Sequence, residues 1–256
     1  MLILISPAKT LDFETPSRAP KHSQPAMLND SEQLIDLLTT KSPSDLEKLM
    51  GISPKLANLN AERYHQWSRP FNKNNAKQAI LAFKGDVYTG LDAESFSDTD
   101  YLYAQEHLRI LSGLYGVVRP LDLIQPYRLE MGTKLENSSG KNLYEFWDDR
   151  ITQKINSQLK KIKSDTILNL ASNEYFKSVK IAQLKGEIVT PVFKDWKNGQ
   201  YKMISFFAKK ARGTMSAWII RKQVEDISQL RKFNRDGYKY SATESTQEKP
   251  VFLRKT

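Results

Sequence analysis

Residues 108–135, LRILSGLYGVVRPLDLIQPYRLEMGTKL, hold four side chains whose types suit recognition of an anion or proton transfer: Arg119, Asp122, Arg128 and Glu130. Pro120 and Pro126 fix the backbone beside them, so the charges project from rigid turns. Gly113-Leu114-Tyr115-Gly116 precedes them as a tight bend where backbone can approach a ligand closely. The same four charges also make an ion-paired structural corner, and spacing alone leaves both readings open.

Three further polar groups follow apolar runs. Lys9 comes just after residues 1–5, Asp86 lies in KGDVYTGLD (84–92), and Glu174 lies in ASNE (171–174) at the start of a helix. With Arg128, these residues define a pocket at strand ends, where Lys, Arg and carboxylates from separate loops converge. Such a pocket suits an enzyme on a nucleotide or nucleobase, with Glu174 as the first candidate acid or base.

The basic residues are unevenly spread. Between residues 194 and 222 eight Lys or Arg face the single carboxylate of Asp195, a net +7 out of +10 for the whole chain. A charge excess gathered in one segment is what a phosphate-binding face needs. Residues 200–207 read as a strand emptying into Lys209-Lys210-Ala211-Arg212-Gly213-Thr214, with a helix from Met215 to Val224. Strand, basic glycine-containing loop and hydroxyl-bearing helix N-terminus together form an anion cradle. The order GxxxxGK[ST] of a Walker loop is absent.

A second phosphate candidate is LMGISPKLANLN (49–60). Ser42-Pro43 and Ser53-Pro54 each place a cap before a proline at the first helical position, and Gly51 ends the first of the two helices. The pattern is that of a helix-hairpin-helix motif, with Gly51, Ile52, Ser53 and Lys55 at the hairpin and Ser53 in place of the usual second glycine. Its amides can hold a backbone phosphate without reading sequence. A plain helical corner has the same signature.

These groups must be positioned by a mixed α/β chain. Strands are expected at 1–5, 79–83, 108–111 and 166–170, and the Asn198-Gly199 hairpin joins 188–196 to 200–207. The tail, 238–253, adds an edge hairpin. Leu34, Leu37 and Leu38 share a helical face; Leu56, Leu59 and Tyr64 continue it to Trp67; 100–107 and 144–162 are further helices, and 14–27 is an irregular loop. One domain of residues 1–256 with a central sheet is expected, carrying a helical insertion at 29–67.

Composition removes several classes. With no cysteine, disulfides, thiol nucleophiles, thiolate zinc sites, cysteine-ligated clusters and cysteine peroxidases are all excluded. His22, His65 and His107 are far apart, so no metal site and no cofactor are expected. The apolar start is too short for a signal peptide and no long apolar run follows, which points to a cytoplasmic chain without a membrane partner.

Taken together, SPAKTLD (6–12), AFKGDVYTGLDA (82–93), residues 108–135, LNLASNEYFKSVK (168–180) and FFAKKARGTMSAWIIR (206–221) resemble the bacterial YaaA peroxide-stress family nearly end to end. The resemblance implies a cytoplasmic protein that helps cells survive hydrogen peroxide by lowering free intracellular iron. It also implies a family-specific fold with a positively charged cleft and a DNA-binding helix-hairpin-helix. The hairpin falls on Gly51, Ile52, Ser53 and Lys55, and the cleft on Lys209, Lys210 and Arg212, with the Thr214 hydroxyl beside them. No catalytic activity is implied. DNA, duplex or distorted, is the expected partner; no obligatory protein partner is inferred, and an adaptor would need an acidic partner that the sequence does not identify.

Overall fold

The computed structural model describes residues 1–255 and has a mixed α/β fold. Its central strand is β1, Leu2–Ile5, whose four residues are apolar and fully buried. Such a run suits a strand covered on both faces. It pairs in parallel with β2, Leu108–Ser112, on one side and with β4, Thr166–Asn169, on the other. β3, Gly116–Val118, folds back antiparallel on β2, and β5, Glu187–Val189, extends the far edge beside β4. The strand order is thus β3-β2-β1-β4-β5. Because β1 gains its two neighbours in opposite directions, a topological switch point lies at its carboxyl end, where α/β sheets bind ligands.

A second sheet is built from β6, Val192–Lys197, β7, Gln200–Lys202, β8, Lys239–Ser241, and β9, Val251–Arg254, in the order β7-β6-β9-β8. Asn198 and Gly199 join β6 to β7 with φ of 52° and 78°, the paired positive values that a type I′ hairpin needs.

Helix α1, Leu28–Thr39, buries Leu34, Ile35 and Leu38. Helix α2, Pro43–Met50, begins with a Ser42–Asp45 capping box and ends at Gly51, with φ of 60°. Helix α3, Pro54–Gln66, starts at the Ser53 cap. Their buried faces belong to the same apolar cluster as β1 and β2. Two polar contacts reinforce this: Trp67 Nε1 donates to Tyr115 Oη at 3.1 Å, and Tyr64 Oη donates to the Arg128 carbonyl.

The structure differs from the sequence reading at five places. Residues 188–196 are not one strand: Thr190-Pro191 separates β5 of the main sheet from β6 of the second. Residues 79–83 are not a strand: Ala79–Ala82 form a helical turn and only Phe83–Lys84 pair with Thr10–Leu11. A short buried apolar run has no period to separate the two forms, and here Ala79 and Ile80 donate to the carbonyls of Asp122 and Pro120. The helix expected over 144–162 is broken at Asp148 (φ 42°) into Leu143–Trp147 and α6, Arg150–Lys161. The break lets Phe146 and Trp147 both turn inward, with Trp147 Nε1 donating to the Gly113 carbonyl at 2.9 Å. On α3, Ala57, Asn60 and Tyr64 face the core, leaving Leu59 exposed.

The largest difference is α7, Ser205–Lys222, which starts ten residues before the expected helix and leaves β7 only three residues long. Helix α4, Asp86–Leu91, explains its course. A Cβ on Gly213 would lie 1.8 Å from the Val87 carbonyl oxygen, and one on Gly90 would lie 2.1 Å from that of Lys210. The two helices therefore cross backbone to backbone, and Gly213 serves this crossing. The strand–loop–helix anion cradle does not form, and its basic residues sit on helical turns instead. The remaining helix of note, α5, Asp98–His107, has the Ser97 cap and runs into β2.

Candidate functional site

Three parallel strands deliver Ser6, Gly113 and Ala171 to one edge of the main sheet. Residues 126–132 cross this edge, and the crossing is close: a Cβ on Gly113 would lie 2.2 Å from the Leu129 carbonyl oxygen. Glycine is required there by proximity. The crossing segment is fastened from below by Tyr127, whose phenol meets Ser112 Oγ at 2.7 Å, and from the side by Tyr64 of α3. Burial raises the titration of both phenols, so each remains a neutral hydrogen-bonding group.

On this frame Glu130 collects two cations. Lys9 Nζ lies 2.9 Å from its carboxylate and Arg128 Nη2 lies 3.0 Å away. Glu174 accepts from the Gly132 amide at 3.0 Å, and its own carbonyl accepts from Tyr144 Oη at 2.9 Å. Ser6 Oγ accepts from the Ser172 amide at 2.8 Å, tying the first and fourth strand ends together. Asp86 enters at the start of α4, next to Gly85, which packs on Ala8. Thus Lys9, Arg128 and Glu174, chosen from sequence, occupy one strand-end edge; Glu130 is the partner that links two of them. One polar atom there is left over: Arg128 Nε is buried without a hydrogen-bond partner.

Three other charges of the 108–135 stretch, Arg109, Arg119 and Asp122, are structural. Arg119 pairs with buried Asp122 at 2.8 Å, and Asp122 also accepts from Ser23 Oγ at 2.6 Å. Arg109 is buried, bonds the Leu108 and Gln105 carbonyls, and has its titration lowered to about 10 by desolvation. Here the ion-paired corner is the correct reading for Arg119 and Asp122.

The basic segment has a different character. Lys209 is exposed and Arg212 is partly buried, and neither has a carboxylate within 4 Å among the described residues. They are three residues apart on α7 and so share a face. Burial lowers the Arg212 titration with no counter-charge to offset it. Lys210 lies 3.9 Å from Asp236, which also accepts from Thr214 Oγ1 at 2.9 Å. Thr214 is therefore engaged within the protein.

At the α2–α3 hairpin, Gly51, Ser53 and Lys55 are exposed and Ile52 packs partly on the core. A Cβ on Gly51 would meet nothing within 4 Å, so open space lies before the turn. The Ile52 amide donates to Glu47 O, and the Leu56 amide to Ser53 Oγ. The Ser53 and Lys55 amides have no protein acceptor among the described residues.

Sequence reading missed the exposed aromatic side chains of this region, Trp196, Phe206 and Phe207. Assigning 200–207 to a strand hid Phe206 and Phe207, because alternation would have turned one of the two inward. No group of three or more His, Asp or Glu able to hold a metal occurs among the described residues. No described helix is long and apolar enough to cross a membrane.

Residues 1–244 match the model of the family described as peroxide stress protein YaaA. The chain is 57% identical over 255 residues to a UPF0246 protein of Teredinibacter turnerae, covering all of both chains. It is 59% identical over 255 residues to a UPF0246 protein of Saccharophagus degradans, again end to end. A UPF0246 protein of Alcanivorax borkumensis is 58% identical over 254 residues, 99% of this chain and 98% of its own. The chain belongs to the peroxide stress protein YaaA family, and its role lies in peroxide stress.

Proposed function

We propose that this peroxide-stress protein binds DNA through its phosphates, largely without regard to sequence, and that any lowering of free intracellular iron follows indirectly from that activity. The observation that carries the reading is the pair Lys209 and Arg212, cations on one helical face without carboxylate partners, one of them partly desolvated. A guanidinium held without a counter-charge is stabilised by an anionic ligand, and a phosphodiester supplies one. Lys210 adds charge beside them. The exposed hairpin of Gly51, Ser53 and Lys55, with two amides unpaired, supports a second phosphate contact, with Ile52 anchoring the turn.

The test is duplex binding across a salt series by wild type and the Lys209→Ala/Lys210→Ala/Arg212→Ala variant. Each lost phosphate contact should flatten the slope of log affinity against log salt by about one unit. An unchanged slope would refute the assignment. Tight stoichiometric iron binding by the purified protein would refute the indirect role for iron.

A second reading is supported by the buried, unpartnered Arg128 Nε at the switch-point edge. There Lys9, Arg128, Glu130 and Glu174, with Asp86 on the adjoining helix, suit an enzyme acting on a nucleotide, nucleobase or damaged DNA. Turnover in a screen of nucleosides and damaged DNA, abolished in Glu174→Gln, is the result this reading requires.

A further inference from the structure

Phe206, on the first turn of α7, is 57% exposed to solvent. It comes three and four residues before Lys209 and Lys210, so its ring shares their helical face, one turn nearer the start of α7. Lys209 has no carboxylate within 4 Å among the described residues. A ring and cations on one face suit a partner that offers apolar surface and negative charge together.

The ring is braced from behind. Phe206 meets Phe207 at 5.6 Å with the planes at 66°. The Arg254 guanidinium lies 4.5 Å from the centre of the Phe207 ring and 4.5 Å from that of Tyr238. Buried Asp195 fixes both partners, accepting from Arg254 Nε at 2.6 Å and from Tyr238 Oη at 2.9 Å. This chain of contacts, from the interior of the second sheet to the first turn of α7, limits the freedom of the exposed ring, which therefore loses little on insertion into a partner.

These features select the occupant. Two rings, about 200 Å² each, fall well short of the roughly 800 Å² per side that a stable protein interface buries. DNA meets both requirements: phosphates for the lysines and, where a base step opens, two flat apolar faces for the ring. The minor groove is about 6 Å wide, so lysines on one turn of one helix can reach phosphates of both strands while the ring points at the bases between them.

We propose that Phe206 is a wedge that enters the minor groove of bound duplex and opens one base step, so that the protein kinks the DNA it holds. The inference rests on the DNA-binding reading and adds the deformation of the duplex.

The experiment measures energy transfer between dyes at the two ends of a short mixed-sequence duplex, free and saturated with protein at low salt. Wild type should raise the transfer by an amount equal to a kink of at least about 20°, and Phe206→Ala should leave it at the value of free duplex. Phe206→Leu, which keeps an apolar wedge, should retain most of the kink. Phe206→Ala should also keep the wild-type slope of log affinity against log salt, because no phosphate contact is removed. Wild type that holds the duplex straight, or a kink that persists in Phe206→Ala, would overturn the wedge and leave the DNA reading standing. Loss of all duplex binding in Phe206→Ala would also overturn the wedge, because its removal spares the cost of opening the step while the lysines remain. Wild type that binds no duplex would overturn both readings.

Discussion

The strand-end edge of the main sheet and the exposed face of α7 are both rich in charge, yet they handle it in opposite ways. At the edge, Glu130 is shared by Lys9 and Arg128, and at the opposite end of β2 and β3 Asp122 likewise holds Arg119. On α7, Lys209 and Arg212 have no such partners among the described residues. Paired charge fixes backbone; unpaired charge invites a ligand. A count of Arg and Lys along the chain cannot separate the two, because pairing is decided by residues distant in sequence, such as Lys9 and Glu130.

Substitutions can break or sharpen this contrast. The largest effect is expected where α7 is seated. Gly213→Ala places a methyl group 1.8 Å from the Val87 oxygen, which backbone cannot relieve locally, and should cost about 3 kcal/mol in urea unfolding. Glu130→Gln leaves the mostly buried Arg128, and the exposed Lys9, facing a neutral amide and should cost about 2 kcal/mol, with duplex affinity retained.

A smaller effect, with a pH signature, is expected at Asp12. Its carboxylate accepts from the backbone of Thr15 and Glu14 and lies 3.6 Å from nearly buried Lys77. The Thr15 bond is the largest of the effects that hold its carboxyl below the usual range. A carboxyl lowered on folding contributes stability that is complete above its unfolded value, about 3.9, and is lost as pH falls toward the folded value. Asp12→Asn should therefore cost about 1 kcal/mol at pH 7 and flatten the fall in stability below about pH 4. Urea unfolding at a series of pH values checks both.

Much of the frame was legible in the sequence. The all-apolar 1–5 run, the Ser-Pro helix starts, Gly51 and Asn198-Gly199 each act through local rules of capping, turn geometry and burial, and each appears where those rules put it. The course of α7 was not legible, because the two glycines that permit it, Gly90 and Gly213, are 123 residues apart and meaningful only as a pair. Gly213 was read as a phosphate-loop glycine for want of that partner. The strand-end site was half legible: polar residues after apolar runs marked Lys9, Arg128 and Glu174, whereas the bridging role of Glu130 and the unpartnered Arg128 Nε exist only in three dimensions. The exposed rings of α7 went unseen for the same reason as the helix that bears them.

The contrast between paired and unpaired charge is tested most directly by duplex binding in a salt series for Lys209→Ala beside Glu130→Gln, each referred to wild type. Lys209→Ala should keep its urea midpoint and flatten the salt slope by about one unit, while Glu130→Gln should keep the wild-type slope despite its lower midpoint. A wild-type slope in Lys209→Ala, or a flattened one in Glu130→Gln, would contradict the account.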